Sequence, residues 1–279
     1  MRVGLVQLRA GDEVAGNIGA ASVAIREAAA GGAKFIATPE MTSLMDTRKG
    51  ALLAKTVPEA EDTALAAFRK LAAELSIHLL VGSLPIRLSP GKCANRSYLL
   101  EPSGAIAARY DKIHMFDVQV GDGQDYRESA KFEPGRAAVL APVGPLTLGL
   151  SVCYDLRFPQ LYRALAQAGA NVLCVPAAFT RVTGEAHWQV LLRARAIENG
   201  AYVLAPAQGG RHTDGRETYG HSLIVGPWGE VVAEAGTEPG IILADLDVAA
   251  VAAARAKIPA LTHDRPIAAP KRLADAGVP

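Results

Sequence analysis

The sequence predicts an α/β protein built on two mixed sheets within one domain, and three observations carry that prediction. Short apolar runs alternate with Ala-rich stretches of helical period, the pattern of βα units and parallel strands. Two pairs of runs are joined by Pro102-Ser103-Gly104 and by Gly226-Pro227-Trp228-Gly229, hairpin signals that add antiparallel pairing. Finally, Ala33-Lys34-Phe35-Ile36-Ala37-Thr38-Pro39 echoes Ala170-Asn171-Val172-Leu173-Cys174-Val175-Pro176. Each follows a helical stretch ending in Gly, which hints at two related α/β halves packed sheet on sheet.

In chain order, Val3–Leu8 reads as a strand and Ile18–Ala30 as a helix that stops at Gly31-Gly32. Lys34–Thr38 is a strand ended by Pro39-Glu40. Asp62–Leu75 is a helix with Asp62 or Thr63 as its cap. The strands His78–Leu84, Asn95–Glu101 and Ile106–Tyr110 follow, the last two forming the first hairpin. Leu146–Cys153, Asn171–Val175 and Ala201–Ala205 then alternate with the helices Gln160–Ala168 and Glu185–Glu198. Ser222–Val225 and Glu230–Ala235 form the second hairpin. Ile241–Leu246 is a last strand, and Asp247 caps a helix reaching Ala256. No linker divides residues 1–263. The tail 264–279, with Pro266, Pro270 and Pro279, is weakly patterned and reads as frayed or as pinned to a partner subunit.

Composition narrows the function. Half of the 279 residues are apolar, enough for a sizeable core, and the formal net charge is +1 with acidic and basic residues interleaved. That balance gives no nucleic-acid surface and no polybasic membrane anchor. No apolar stretch is long enough to span a bilayer, and the first residues read as a strand rather than a signal peptide. Three cysteines, without the spacing of a disulfide framework, point to reduced thiols and a cytoplasmic protein.

Three strand ends carry the reactive side chains: Glu40 after Ile36-Ala37-Thr38-Pro39, Lys112 after Arg109-Tyr110-Asp111, and Cys153 after Leu150-Ser151-Val152. Strand ends are where α/β proteins build ligand sites. A thiol, a carboxylate and an ammonium are the parts of acyl transfer: nucleophile, proton carrier and oxyanion stabiliser. Alone, each has a plainer reading: a small core residue, a surface carboxylate, and a solvated pair with Asp111. Cys153 reads as standing at a strand-to-helix turn, where backbone N–H groups, the helix dipole and Lys112 favour the thiolate. Cys93 and Cys174 read as structural. His212, His221 and His263 lack metal-ligand spacing, so no metal site is expected.

The motifs Pro39-Glu40, Tyr110-Asp111-Lys112-Ile113-His114 and Val152-Cys153-Tyr154-Asp155-Leu156-Arg157-Phe158-Pro159, in this order and spacing, resemble the nitrilase (carbon–nitrogen hydrolase) superfamily. Ala178-Phe179-Thr180-Arg181-Val182-Thr183-Gly184-Glu185-Ala186-His187-Trp188 resembles its Nit-type amidase branch, as do Gln208-Gly209-Gly210-Arg211-His212 and Tyr219-Gly220-His221-Ser222. The resemblance covers residue 1 to about Pro266. It implies a four-layer α-β-β-α sandwich that pairs into a homodimer or higher homo-oligomer through the helix after Pro159 and the tail. It implies Glu40 as general base, Lys112 and the Tyr154 N–H as oxyanion stabilisers, and Cys153 as nucleophile. A second glutamate falls in the loop before Phe132, with Glu128 the best match and Glu133 its competitor. No metal or organic cofactor is implied.

On the substrate side, Arg157 is expected to meet a carboxylate, or else to pair with Asp155 or another acid. Phe179, Thr180 and Thr183 are expected on the pocket rim. His187-Trp188 reads as helix packing, and Arg195 with Glu198 as a pair on one helix. The resemblance implies hydrolysis of a small carboxylated linear amide, deaminated glutathione foremost, giving α-ketoglutarate and cysteinylglycine. The alternative is an ω-amidase acting on α-ketoglutaramate, or another aliphatic amidase. A nitrilase and a non-catalytic binding protein are the remaining readings.

Overall fold

The computed structural model describes residues 1–270 apart from positions 47, 49 and 122–124. Of the predicted tail, residues 271–279 lie outside the described residues.

Two six-stranded mixed sheets form the centre. The first runs Gly240–Asp245, Arg2–Gln7, Phe35–Ala37, His78–Ser89, Lys92–Leu100, Ile106–Asp111, in spatial order. Its parallel triple has Phe35–Ala37 in the middle, and antiparallel strands flank it. The second runs Val231–Glu234, Leu223–Val225, Tyr202–Ala205, Val172–Cys174, Leu146–Leu150, Val139–Val143. Its parallel triple has Val172–Cys174 in the middle. The two echoing segments thus occupy the same place in the two halves.

Alternation along the strands sets the layers. Val3, Leu5, Phe35, Ala37 and Leu80 face the second sheet and join Leu148, Leu150, Cys174 and Leu204 in one core. Val6, Ile36, Leu79 and Val81 point the other way, under Ile25 and Ala28 of the helix Val14–Ala30 and Phe68 of the helix Thr63–Leu75. The helices Pro159–Gln167 and Arg181–Asn199 bring Leu161, Leu165, Trp188 and Leu192 to the second sheet. The result is an α-β-β-α sandwich. Among the described residues, no helix is long and apolar enough to cross a membrane.

Caps and breakers explain most boundaries. Asp62 caps its helix by accepting the Leu65 N–H at 2.7 Å. Two boundaries correct the sequence reading. The strand before Cys153 stops at Leu150, and Cys153 opens a short 3-10 turn, Cys153–Arg157, so the α-helix begins only at Pro159. The helix read as starting at Glu185 starts at Arg181, because Thr180 caps it, its hydroxyl accepting the Thr183 N–H. Sequence reading also missed the strand Val139–Val143 and the small hairpins Asp117–Gln119/Asp125–Arg127 and Gly209–Arg211/Glu217–Tyr219.

The start of the tail lies on its own chain. The Arg163 guanidinium donates to the Ala260 carbonyl at 2.6 Å and pairs with Asp264, and Gln167 donates to the Leu261 carbonyl.

Candidate active site

Three strand ends converge at one edge of the sandwich. The parallel strand Phe35–Ala37 delivers Glu40 through Thr38-Pro39, and Thr38 N–H still donates to the Leu80 carbonyl at 3.0 Å. This turn lies directly on Gly82, where a Cβ would stand 2.0 Å from the Thr38 oxygen. Lys112 follows the edge strand Ile106–Asp111, its N–H bonded to the Asn95 carbonyl at 3.0 Å. Cys153 takes a left-handed backbone, φ 51°, and its N–H donates to the Pro176 carbonyl at 2.9 Å. Met41, next to Glu40, is also left-handed at φ 55°. Such backbones cost about 1–3 kcal/mol each and persist only where surrounding contacts enforce them.

The buried carboxylate of Asp155 supplies that enforcement. It accepts the Val152 N–H at 2.8 Å, the Tyr110 hydroxyl at 2.7 Å and the His114 N–H at 3.0 Å, and it contacts His114 Nδ1 at 2.7 Å. Residues on both sides of Lys112 are therefore tied to the turn that carries Cys153.

Charges meet at the floor of the site. Lys112 Nζ lies 2.8 Å from Glu40 Oε1 and 2.8 Å from Glu128 Oε2. Asn95 Nδ2 donates to both carboxylates, at 2.9 Å and 3.1 Å. Ala178 N–H donates to Glu40 Oε2 at 2.9 Å, and Phe116 N–H to Glu128 Oε2 at 2.7 Å. Burial alone would raise the Glu40 carboxyl, but Lys112 and the hydrogen bonds around it outweigh burial and hold it below the usual value. Lys112 is held above its ordinary value: burial opposes the charge, and Glu128 and Glu40 overcome it.

Cys153 behaves differently from the thiolate expected from its position. Burial first, and the Glu40 carboxylate second, push its thiol well above the ordinary value, and Lys112 offsets them only in part. The resting state is a neutral thiol beside an ionised carboxylate. The segment that starts at Cys153 is only five residues of 3-10 turn, and the α-helix that follows it in sequence begins at Pro159.

Above this cluster opens a cavity of about 380 Å³ lined by Glu40, Asn95, Lys112, Phe116, Tyr126, Glu128, Cys153, Ala178 and Arg216, among others. Of the two glutamates weighed for the loop before Phe132, Glu128 is in the site. Glu133 lies outside it, 3.7 Å from Lys92 on the surface. Tyr154, Phe179, Thr180 and Thr183 all line the cavity, although the Thr180 and Thr183 hydroxyls are 2.8 Å apart and serve the helix cap.

Arg157 does not line the cavity. Its guanidinium lies 5.3 Å from the Phe179 ring centre and 6.0 Å from that of Tyr154, two residues of the cavity wall, and 3.2 Å from His187 Nδ1. Its expected alternative partner Asp155 is fully engaged elsewhere. Trp188 packs in the helix layer, its indole N–H donating to the His221 carbonyl, and Arg195 pairs with Glu198 at 2.8 Å. Both His212 nitrogens are occupied, by the Ala10 carbonyl and Thr218 Oγ1.

Sequence reading did not single out Asn95, Phe116 or Arg216. Asn95 left one trace, a short polar side chain within a strand whose neighbours are mostly buried. Arg216 sits in a turn with Asp214-Gly215 and left none.

Residues 2–256 match the family model described as Carbon-nitrogen hydrolase. A deaminated glutathione amidase of Synechocystis sp. is 46% identical over 197 residues, 69% of this chain and 72% of that protein. The human omega-amidase NIT2 is 36% identical over 265 residues, 95% of each. Among solved structures, the C. elegans NitFhit protein superposes with a TM-score of 0.87 at 32% identity over 95% of this chain. This chain spans 65% of the nematode chain, less than two thirds of its length. A mutant of the amidase from Nesterenkonia sp. AN1, with the acetamide moiety of fluoroacetamide on its active-site cysteine, superposes with a TM-score of 0.78 at 30% identity. It covers 90% of this chain and 92% of its own. With this sandwich, this cluster at its edge and these matches along its length, the chain belongs to the carbon–nitrogen hydrolase family.

Proposed function

We propose that the chain hydrolyses the amide bond of a small carboxylated linear amide through a Cys153 thioester, with deaminated glutathione as its preferred substrate. The observation that carries this reading is the buried contact of Cys153, Glu40 and Lys112, three side chains from three strand ends, on the floor of one cavity. The relatives named for deaminated glutathione support the substrate.

In this reading Glu40 takes the thiol proton as sulfur attacks the amide carbonyl. The C–S bond forms while the carbonyl π pair moves onto oxygen. Lys112 Nζ and the Tyr154 N–H, which opens a 3-10 turn and so lacks an intrahelical partner, receive that oxyanion. The oxyanion collapses, the C–N bond breaks, and Glu40 returns its proton to the departing amine. For deaminated glutathione that amine is the α-amine of cysteinylglycine; for an ω-amide it is ammonia. Glu40 then takes a proton from water, positioned with Glu128, and hydroxide displaces the sulfur. The acid leaves, and Cys153 regains its proton.

A panel of deaminated glutathione, α-ketoglutaramate and a simple nitrile, against wild type and Cys153→Ala, tests the reading by mass spectrometry. Fastest release of cysteinylglycine from deaminated glutathione, abolished in a folded Cys153→Ala, is the expected result. Unchanged hydrolysis in that variant removes the mechanism. A clear preference for α-ketoglutaramate moves the enzyme to the ω-amidase reading, which the end-to-end match to an omega-amidase favours as the second choice.

The same reading takes the chain as a cytoplasmic homodimer. All three cysteines are unpaired and buried. Val190, Ile197 and Trp228 leave apolar surface exposed, with Gly229 close to Ile197. Sedimentation at micromolar concentration checks the pairing, and a monomer there rejects it.

A further inference from the structure

Gln208 opens the motif Gln208-Gly209-Gly210-Arg211-His212, is fully buried, and yet does not line the cavity. A glutamine amide offers two N–H donors and a carbonyl acceptor, and burial demands a partner for each. All three are used. Nε2 donates to the Glu40 carbonyl at 3.0 Å and to the Met41 carbonyl at 3.3 Å, and Oε1 accepts the Ala10 N–H at 3.0 Å. The opposite flip of the amide would set its oxygen against two carbonyl oxygens and its NH2 against an N–H, so the neighbours enforce this orientation.

The two carbonyls it grips belong to the turn that delivers the Glu40 carboxylate. Met41 in that turn is left-handed, and its N–H is taken by Ser83 Oγ at 2.9 Å, from the strand His78–Ser89 of the first sheet. Gln208 follows the strand Tyr202–Ala205 of the second sheet, so it holds the turn from across the sandwich. Its own main chain is anchored beside the site, its N–H donating to the Ala177 carbonyl at 2.9 Å. On one side of Ala177, Ala178 N–H donates to Glu40 Oε2 at 2.9 Å. On the other, the Pro176 carbonyl accepts the Cys153 N–H at 2.9 Å. The stretch Pro176-Ala177-Ala178 therefore carries the backbone of the nucleophile, the carboxylate of the base and, through Gln208, the main chain of the base. Ala10 completes the mount: His212 Nδ1 donates to its carbonyl at 2.7 Å while Gln208 takes its N–H.

Resting on the reading of Glu40 as proton carrier, we propose that Gln208 is a positioning residue of the reaction, the group that fixes the Glu40 main chain relative to Cys153 so that carboxylate and thiol stay within reach of each other. Glu40 is held at both ends, at its carbonyl by Gln208 and at its carboxylate by the Ala178 N–H, and both holds lead to one segment. Its side chain is thus stretched between two fixed points. Without the Gln208 amide the left-handed turn is free to relax toward an ordinary backbone, and the carboxylate swings with it. Proton transfer needs heavy atoms within about 2.6–3.2 Å, so a small swing breaks the contact with the thiol. Because Gln208 stands off the cavity, its loss acts on the chemical step and not on substrate binding.

The test measures kcat and KM on whichever of deaminated glutathione and α-ketoglutaramate wild type hydrolyses faster. It uses wild type, Gln208→Met, Gln208→Glu, Asn199→Ala and Glu40→Gln. Each is checked for a cooperative melt, and its thiolate absorbance is titrated against the Cys153→Ser background. Gln208→Met keeps the length of the side chain and loses all three hydrogen bonds. Its kcat should fall by about 10²-fold, the usual cost of a 1 Å misplacement. KM should stay close to the wild-type value, the mark of an interaction that serves the transition state. Its thiolate should appear at lower pH than that of wild type, because a displaced Glu40 carboxylate no longer opposes the charge. Gln208→Glu, kept protonated by burial, retains the acceptor and one donor, so its kcat should lie between the two. It also carries the test should Gln208→Met not fold. Asn199 is an equally buried amide, bonded to the Arg195 carbonyl at the far end of the helix Arg181–Asn199, and serves as the control for lost core hydrogen bonding. Asn199→Ala should melt lower and keep the wild-type kcat and thiol titration. Wild-type kcat in a folded Gln208→Met, or in Gln208→Glu if only that variant folds, overturns the assignment alone. A loss carried by KM, or an equal loss of kcat in Asn199→Ala, does the same. A Glu40→Gln that turns over like wild type overturns the proton-carrier reading and the assignment with it.

Discussion

Lys112 Nζ and Glu40 Oε1 stand 2.8 Å apart with side chains 2% and 5% exposed, so the charge pair at the centre of the cavity is almost fully removed from water. Such a pair is held by its surroundings as much as by its own attraction. Desolvating each ion costs several kcal/mol, repaid only if every remaining polar atom is satisfied. Asn95, Ala178 and Glu128 do that here. The arrangement leaves one neutral nucleophile, Cys153, beside one ionised acceptor.

Removing the cation should therefore damage stability and catalysis through separate causes. Lys112→Met leaves Glu40 and Glu128 facing each other without a counter-charge, and breaking a buried pair in this way costs about 3–5 kcal/mol. Loss of one oxyanion donor lowers kcat by about 10²–10³. Adding Glu40→Gln to Lys112→Met should recover much of the denaturation midpoint and none of the turnover. Urea melts of the two variants, alongside their rates, separate the effects.

Glu40→Gln should make the Cys153 thiol easier to ionise while making the enzyme slower. The Glu40 carboxylate is the second-largest cause, after burial, of the raised thiol value, and a neutral amide removes it. The thiolate absorbance of Glu40→Gln, corrected with the Cys153→Ser background, should therefore rise at lower pH than that of wild type. Turnover should fall by about 10²–10⁴, the usual share of a general base. A thiol that titrates at the wild-type pH would separate Glu40 from Cys153 electrostatically.

How much of this was legible in the sequence depends on where each neighbour comes from. Glu40, Lys112 and Cys153 were legible because each ends a recognisable apolar strand. The two halves were legible because Phe35–Ala37 and Val172–Cys174 repeat one pattern. The protonation of Cys153 was not, since burial is a property of the assembled layers and the sequence shows only a turn. Glu128 was ambiguous because its loop lacks periodicity; it is fixed by Asn95 and the Phe116 N–H, which only the folded chain brings to it. Arg157 is placed by contacts that its own segment does not show. It adjoins Cys153 in sequence, and Phe179 and His187, from a later segment, set where its guanidinium lies. Arg216, in a hairpin turn beside Asp214-Gly215, carries no periodic pattern that would mark it as part of the cavity.

Acid should loosen the first sheet's outer edge before it touches the site. Glu59 accepts from Arg109 at 2.6 Å, and also from Tyr98 and Arg96 at 2.9 Å. Arg109 first, then Tyr98 and Arg96, against burial, hold its carboxyl down to about 2 from an ordinary 4.5. A depressed carboxyl stabilises the fold above its unfolded value, and that stabilisation is lost as pH falls from about 4.5 toward 2. The full shift corresponds to about 3 kcal/mol, and the half-exposed Arg109 reduces this to about 1–2 kcal/mol. Glu59→Gln should be less stable than wild type near neutral pH and converge with it only as pH approaches about 2. Urea midpoints across that range read the difference, and parallel curves would place the acid sensitivity elsewhere.

Gly82→Ala should disable the site from outside it. The new Cβ would stand 2.0 Å from the Thr38 carbonyl oxygen and 2.4 Å from that of Pro39, and both are backbone atoms with no rotamer to yield. The strand cannot retreat either, because Gly82 N–H donates to Thr38 Oγ1 at 3.0 Å and Ser83 Oγ accepts the Met41 N–H at 2.9 Å. The strain must move the Thr38-Pro39-Glu40 turn, and with it the carboxylate that Lys112, Asn95 and the Ala178 N–H now hold. Overpacking of this kind costs about 1–3 kcal/mol. A displacement of about 1 Å at a reacting group costs about 10²-fold in rate. The variant should therefore melt modestly lower and turn over at about a hundredth of the wild-type rate, with Cys153 still present and reducible thiol counts unchanged. Wild-type kcat in a folded Gly82→Ala would show that the Glu40 turn has slack that these contacts deny.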